Sequence, residues 1–434
     1  MMQNLITEIK NYQPRRPKIH GQVIATRGSL VRTQLQNVSI GEMCLISRDG
    51  RSPLPAEVVA FDETGAHIAP FDSVIGISAG SEVIPLGTTP TIIAPPDSQE
   101  LIVDCLGIPL GDLENPAAQV GSPLSIRQAA PEPLSRPPVR ERMFTGIHAI
   151  DLCIPVGYGQ RLGLFAGPGV GKSTLLQMIA RNAYVDRVVI ALVGERGREV
   201  QEFIEELFVN PNHPPTIVVV ATSDESAVRR RCATYTATTL AEHYREKGED
   251  VLLLVDSLTR TARSIRDLGL SAGELPVRQG YTSSVFDELP RLTERAGNSA
   301  SGSITALYSV LTSFDEKLDI LAEEIKSLLD GHIVLDASLA QRGIWPAINI
   351  PKSLSRLQSK LLPHHEAKLA MEVRSAFSRL SQEKDLALLS GNPDPRMKFL
   401  MGIETDLTDH FLQTGDSKKP HSSLLSEVGA LLGI

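Results

Sequence analysis

The stretch Ala166-Gly167-Pro168-Gly169-Val170-Gly171-Lys172-Ser173 decides the fold. The apolar run Leu162-Gly163-Leu164-Phe165 precedes it, and Thr174-Leu175-Leu176-Gln177-Met178-Ile179-Ala180 follows. Strand, glycine loop and helix, in that order, are the context a phosphate-binding loop requires. Small residues let backbone N–H groups turn inward around an anion, and the helix start adds its positive end. Lys172 can reach the outer phosphates of a nucleoside triphosphate and Ser173 can hold Mg²⁺. Gly167, Pro168, Gly169, Val170, Gly171 and Thr174 complete the expected cradle. The competing reading, a glycine-rich turn without a ligand, does not account for the flanking strand and helix. Ala166 replaces the usual first glycine, and its methyl group is tolerable where φ is negative.

The chain has 434 residues, beyond the size at which single cores stop growing, so several domains are expected. Its 42% hydrophobic and 22% charged residues are ordinary for a folded soluble protein and argue against disorder. A formal net charge of −8 argues against a chain built mainly to neutralise nucleic-acid backbones. Cys44, Cys105, Cys153 and Cys232 lie far apart, without the short pair spacings of structural zinc sites, and read as buried free thiols in a reducing cytosol. Met1 to Pro14 lacks a signal peptide's apolar core, and no run approaches the roughly 18 apolar residues of a membrane span. A cytoplasmic protein is expected, with membrane association only through partners.

Residues 1–18 form an arm with Leu5, Ile6, Ile9 and Tyr12 at helical spacing and the basic run Arg15-Arg16-Pro17-Lys18. Over 19–86 the pattern changes to short β-rich pieces, Gly21–Ala25, Ser29–Arg32, Glu42–Ile46 and Ala56–Phe61, as in a small barrel. Barrels that bind single strands need stacking aromatics, and only Phe61 and Phe71 occur here, so a structural or ring-forming barrel is expected. Residues 87–145 are rich in proline and glycine and read as a loop-rich lead-in to an α/β domain ending at 350. Strands are expected at Leu162–Phe165, Arg187–Val193, Thr216–Ala221, Val251–Val255, Ser303–Leu311 and His332–Leu335. Continuous apolar runs alternating with helices signal a parallel sheet covered on both faces. Thr222 with Glu225 can make a capping box for a helix running to Gly248. From 351 to 434 the pattern is helical only, with apolar stripes such as Leu369, Val373, Phe377 and Leu380 that read as packing. The expected class is therefore α/β, with a phosphate-loop NTPase sheet between an N-terminal β-barrel and a C-terminal helical domain.

Val251-Leu252-Leu253-Leu254-Val255-Asp256 puts a carboxylate at the carboxyl end of a buried strand, where ligands sit in open parallel sheets. Asp256 thus fits the carboxylate that supports Mg²⁺ in phosphate-loop NTPases. Glu195 also leaves a strand on that edge. It can polarise an attacking water, or it can be a helix N-terminal Glu favoured by the helix dipole, and chemistry alone leaves both readings open.

Several further stretches resemble one family: Gly194-Glu195-Arg196-Gly197-Arg198-Glu199-Val200, Asp256-Ser257-Leu258-Thr259-Arg260, Gly273-Glu274-Leu275-Pro276, Gly280-Tyr281-Thr282-Ser283-Ser284-Val285-Phe286, Leu289–Gly297 and Leu329–Leu335. In that order they are similar to the hexameric export ATPases of flagellar and type III secretion systems, relatives of rotary F-type and V-type ATPase catalytic subunits. The resemblance runs from about Ile19 to Leu357 and weakens beyond. It implies that Glu195 takes the place of the catalytic glutamate, that Arg196 follows it as in the family pattern, and that Arg356, in Ser353-Leu354-Ser355-Arg356, is an arginine finger reaching into the neighbouring subunit's site. Trp345 stands where the family has a tyrosine against adenine; a buried core tryptophan is the alternative. The resemblance further implies ATP and Mg²⁺, a homohexamer and a stalk and a peripheral regulator as partners. It implies chaperone release, delivery of export substrates and a place at the cytoplasmic face of the inner-membrane export apparatus. No nucleic acid is expected.

The sequence also departs from the family. Ser313-Phe314-Asp315-Glu316-Lys317-Leu318-Asp319-Ile320 replaces a more acidic, glycine- and proline-containing loop, and Thr261, Ile265 and Asn349 replace a usual aromatic, glutamine and aspartate. The C-terminal segment lacks the family's glycine-tyrosine pair. These positions concern loop contacts rather than phosphate chemistry. An RNA-dependent ring translocase and a non-catalytic nucleotide-binding subunit of a rotary ATPase are the alternative functions. Glu195 counts against the second.

Overall fold

The computed structural model describes residues 20–95, 100–111, 123–209, 213–312, 319–390, 393–413 and 419–434. The expected arm over 1–18 and residues 313–318 of the divergent loop lie outside them. By contacts the chain forms two compact units that divide between Pro90 and Thr91.

The first unit is a closed barrel of β1 (Gly21–Arg27), β2 (Leu30–Thr33), β3 (Met43–Arg48), β4 (Arg51–Asp62), β5 (Gly65–Pro70) and β6 (Glu82–Pro85), paired in the order β1-β2-β5-β4-β3-β6. Side chains alternate across each strand, so Val31, Ile46, Leu54, Val58, Ile68 and Val83 fill the interior. The sequence pattern showed four of these strands. β5 and β6 escaped it because Gly65-Ala66-His67-Ile68-Ala69-Pro70 and Glu82-Val83-Ile84-Pro85 are short and bounded by proline. Phe71 is buried and Phe61 is exposed.

The second unit carries the sheet that positions the site. Its strands are β7 (Glu100–Asp104), β8 (Arg161–Ala166), β9 (Arg187–Glu195), β10 (Thr216–Thr222), β11 (Asp250–Asp256), β12 (Ser303–Leu311), β13 (Gly331–Val334) and β14 (Leu354–Ser355). They lie in the order β14-β13-β8-β12-β11-β9-β10-β7, all parallel except β14. Val188, Ile190, Leu192, Val218, Leu252, Leu254 and Leu164 are buried, as strands covered on both faces demand. β7 is the main correction to the expected lead-in. Glu100-Leu101-Ile102-Val103-Asp104 pairs with β10 as an edge strand, and its apolar core was too short to stand out among prolines. The proline-rich segment itself hugs the surface, where Arg136 bridges the Pro131 carbonyl and Glu294 at 2.9 Å.

Helices α1 (Lys172–Asn182), α2 (Gly197–Leu207), α3 (Ala227–Glu246) and α4 (Leu258–Ala272) cross between strands. In α2, Val200, Phe203 and Leu207 recur at helical spacing and are buried. The cap of α3 differs from expectation. Ser226 accepts from Arg229 N, while Glu225 bonds back to Thr222 N at 3.0 Å and closes the turn before it. Ser226 lies nearer the first helical residue and can reach its third amide. α5 (His364–Ser390), α6 (Pro395–Asp409) and α7 (His421–Leu432) make up the C-terminal helical region, and Leu369, Val373, Leu380, Leu400, Leu407, Leu424 and Val428 share one core with the sheet. Among the described residues, no helix is long and apolar enough to cross a membrane.

Three family departures are accounted for by local contacts. The Thr261 hydroxyl meets that of Thr234 at 2.6 Å between α3 and α4, and Ile265 is buried on the same helix. Asn349 donates to Asp336 at 2.8 Å. All four cysteines are buried and none is in a disulfide, and burial pushes the Cys44 and Cys153 thiols up to about 12.

Candidate nucleotide site

β8 is central in the sheet, between β12 and β13, so its carboxyl end opens at the middle of one sheet edge. Ala166 is its last residue, in strand conformation, and the missing first glycine therefore carries no backbone strain. The loop then turns through Gly169 at φ +74° and Gly171 at φ +80°, which side-chain-bearing residues avoid. The Gly171 carbonyl takes the first helical bond, from Leu175 N at 3.0 Å. Val170 turns its side chain into the core and leaves only its backbone to the loop. Gly167, Pro168, Gly169, Gly171, Lys172, Ser173 and Thr174 line a cavity of about 750 Å³, together with Glu195, Trp345 and Gln413.

Strand register brings the carboxylates to this edge. β9 and β11 are paired so that Leu192 faces Asp256, which places Asp256 at the end of its strand. The backbone bulges between Val193 and Glu195, and a bulge re-aims the side chain that follows it. Lys172 Nζ bonds Asp256 Oδ1 and lies 3.5 Å from Glu195 Oε1. Ser309 donates to the same Asp256 oxygen at 2.7 Å. Arg260 of α4 donates to Glu195 Oε2 at 2.9 Å and also to the Gly194 carbonyl. Two cations therefore hold two carboxylates at the mouth of the loop. Asp256 is 1% exposed, and an unpaired carboxylate so buried would be costly.

Glu195 is held above the usual carboxylate range, first by burial, with Lys172 opposing and Asp256 adding to the rise. Its hydrogen bond to Glu199 holds that neighbour below the usual range. A carboxylate with a raised pKa beside a phosphate loop has the character of a group that handles a proton.

Trp345 lines the cavity with its ring against Gly171, and it is 36% exposed rather than buried in the core. A Cβ on Gly171 would overlap that ring. Gly171→Ala is accordingly expected to lose about 1–2 kcal/mol to its left-handed backbone, before any clash, and to raise the KM for ATP; thermal melting and steady-state kinetics check both. Arg196 and Arg356 are not brought into this cavity. Arg196 is the exposed residue ahead of α2 and pairs with Glu199 at 3.5 Å. Arg356 is exposed beyond β14, its amide bonded to Asp330 O at 3.0 Å, at the sheet end opposite the loop.

The ATP synthase alpha/beta family nucleotide-binding domain matches residues 146–355. The flagellum-specific ATP synthase of Bacillus subtilis is 43% identical over 371 residues, 85% of this chain and 84% of that protein. The type 3 secretion system ATPase of Xanthomonas euvesicatoria is 42% identical over 368 residues, 85% of this chain and 83% of that protein. The chain belongs to the flagellar and type III secretion export ATPases. Among solved structures, the assembled ATPase EscN from the type III secretion system of enteropathogenic E. coli matches with a TM-score of 0.88 and 35% identity, covering 95% of this chain and all of that one. EscN in complex with its central stalk EscO matches at 0.84 and 34%, with the same coverage. The likeness thus extends well past Leu357, where the sequence motifs fade.

This export ATPase is an ATP-hydrolysing enzyme, and the RNA translocase and non-catalytic subunit readings are set aside. Its site contains residues that the sequence reading left without a role. Arg260 stands four residues after Asp256, across one strand-to-helix junction. Glu199 stands four residues after Glu195, across another. Gln413 carries no such signal, because only the tertiary fold brings the C-terminal segment to the cavity.

Proposed function

We propose that the chain works as a homohexameric ring in the cytoplasm, at the cytoplasmic face of the inner-membrane export apparatus. There ATP hydrolysis releases chaperones from export substrates and delivers the substrates for transport. The observation that carries the chemical part is the cluster of Lys172, Asp256, Glu195 and Arg260 at the mouth of the loop. The Glu195 carboxylate orients and polarises the water that attacks the terminal phosphorus, and takes up its proton. Lys172 and Arg260 offset the charge that gathers on the transferred group.

The oxygen donors at the site suit a hard divalent cation. The Ser173 hydroxyl lines the cavity with no side-chain hydrogen bond among the described residues, and Asp256 ends a strand at the same sheet edge. These two would hold Mg²⁺, which when bound would neutralise charge on the phosphates. Trp345 offers its ring face to the adenine.

Arg356 points to the ring. Its exposure and its position at the far end of the sheet suit a finger that acts on a neighbour's nucleotide, and EscN, the structural neighbour, is known as an assembled ATPase. The EscN–EscO complex supports a stalk as a second partner. Co-purification from native cells tests the biological part: recovery of secretion chaperones with the chain is expected, and recovery of RNA in their place contradicts it.

A further inference from the structure

Gln413 follows α6 and is 3% exposed. Its Oε1 accepts from His148 N at 2.6 Å, and its Nε2 donates to the Gly146 carbonyl at 3.0 Å. Its own backbone N–H donates to the Trp345 carbonyl at 2.8 Å. It also lines the nucleotide cavity. One residue thereby joins three distant segments: the turn at 146–148, the strap that carries Trp345, and the segment after α6.

A buried amide costs free energy unless its donor and acceptor are both matched. Here both are matched to backbone atoms, which fix position more tightly than side chains do. A residue needed only for packing would be satisfied by an apolar group of the same size. None of these three bonds reaches Lys172, Glu195, Asp256 or Arg260 directly.

We propose that Gln413 is a positioning residue for the nucleotide base. It fixes the backbone of Trp345 and so sets how the indole lies against the phosphate loop at Gly171. Affinity for nucleotide depends on it, and the chemical step does not. The proposal rests on the reading of Trp345 as the base wall.

Trp345 is the single tryptophan of the chain, so its emission reports this wall alone. The test titrates the full-length chain with Mg·ADP, following Trp345 emission, and measures ATP turnover for wild type, Gln413→Ala and Gln413→Glu. In Gln413→Ala, Kd and KM are expected to rise about tenfold, the size of one or two net hydrogen bonds, with kcat within about twofold. Gln413→Glu keeps the acceptor for His148 N but sets a buried carboxylate oxygen against Gly146 O, so it is expected to show the same split to at least the same degree. It also serves as the test if the alanine variant does not fold.

Unchanged Kd and KM, or a fall in kcat at constant KM, overturn the role of Gln413 while leaving Trp345 as the base wall. Wild-type emission that ignores Mg·ADP in an actively hydrolysing enzyme overturns the base-wall reading, and this proposal with it.

Discussion

Glu195→Gln is expected to lower kcat by about 10²–10⁴-fold, the usual worth of a positioned general base, while nucleotide binding stays near that of wild type. The amide keeps the size of the side chain and one acceptor for Arg260, but it cannot take a proton from water. Equilibrium binding of Mg·ADP beside single-turnover hydrolysis separates the two effects. The pH profile carries a second signature. Glu195 titrates above the ordinary carboxylate range because burial disfavours its charged form. The active species is the carboxylate, so turnover falls as pH drops through that raised pKa. The acid limb of kcat/KM therefore lies above the limb an exposed glutamate would give, and it is absent from the residual rate of Glu195→Gln. A bound triphosphate adds negative charge nearby, which moves the limb of kcat further in the same direction.

Arg356→Ala is expected to cost about 10³–10⁵ in kcat, as loss of an arginine finger does, with an unchanged Kd for nucleotide on the isolated chain. The reason is positional. Arg356 is exposed beyond β14 and does not line its own chain's cavity, so its charge serves a phosphate only across an interface. Wild-type turnover per chain should accordingly rise with protein concentration and level off as rings close. Loss of activity without loss of folding, seen as an unchanged thermal melt, distinguishes this from damage to the edge of the sheet.

The loop and the sheet were legible because their signals are local. Ala166–Ser173 lies between an apolar run and a periodic helix, and Asp256 ends a five-residue apolar strand, so each can be read within a dozen residues. β7 was not legible, since Leu101-Ile102-Val103 becomes a strand only through pairing with β10 at the sheet edge. Arg260 stood in a quoted motif, but its partner Glu195 lies 65 positions earlier in the chain, and the parallel pairing of β9 with β11 is what brings the two together. Gln413 was invisible for the same reason on a larger scale: it reaches Gly146 across 267 positions. Trp345 was read from family likeness; its ring lies against Gly171 at the cavity. Contacts of high sequence separation set the end of the cavity that holds Trp345 and Gln413. Local pattern sets the phosphate end.

The central claim is that each active site is shared between two chains, one giving the loop and the other Arg356. Mixing Lys172→Ala chains with Arg356→Ala chains tests it most directly. Each variant alone is expected to be inactive. In equimolar mixed rings, about a quarter of the interfaces pair an intact loop with an intact finger, and ATP turnover should return to about that fraction of wild type. Mixtures as inactive as either variant alone would contradict a shared site.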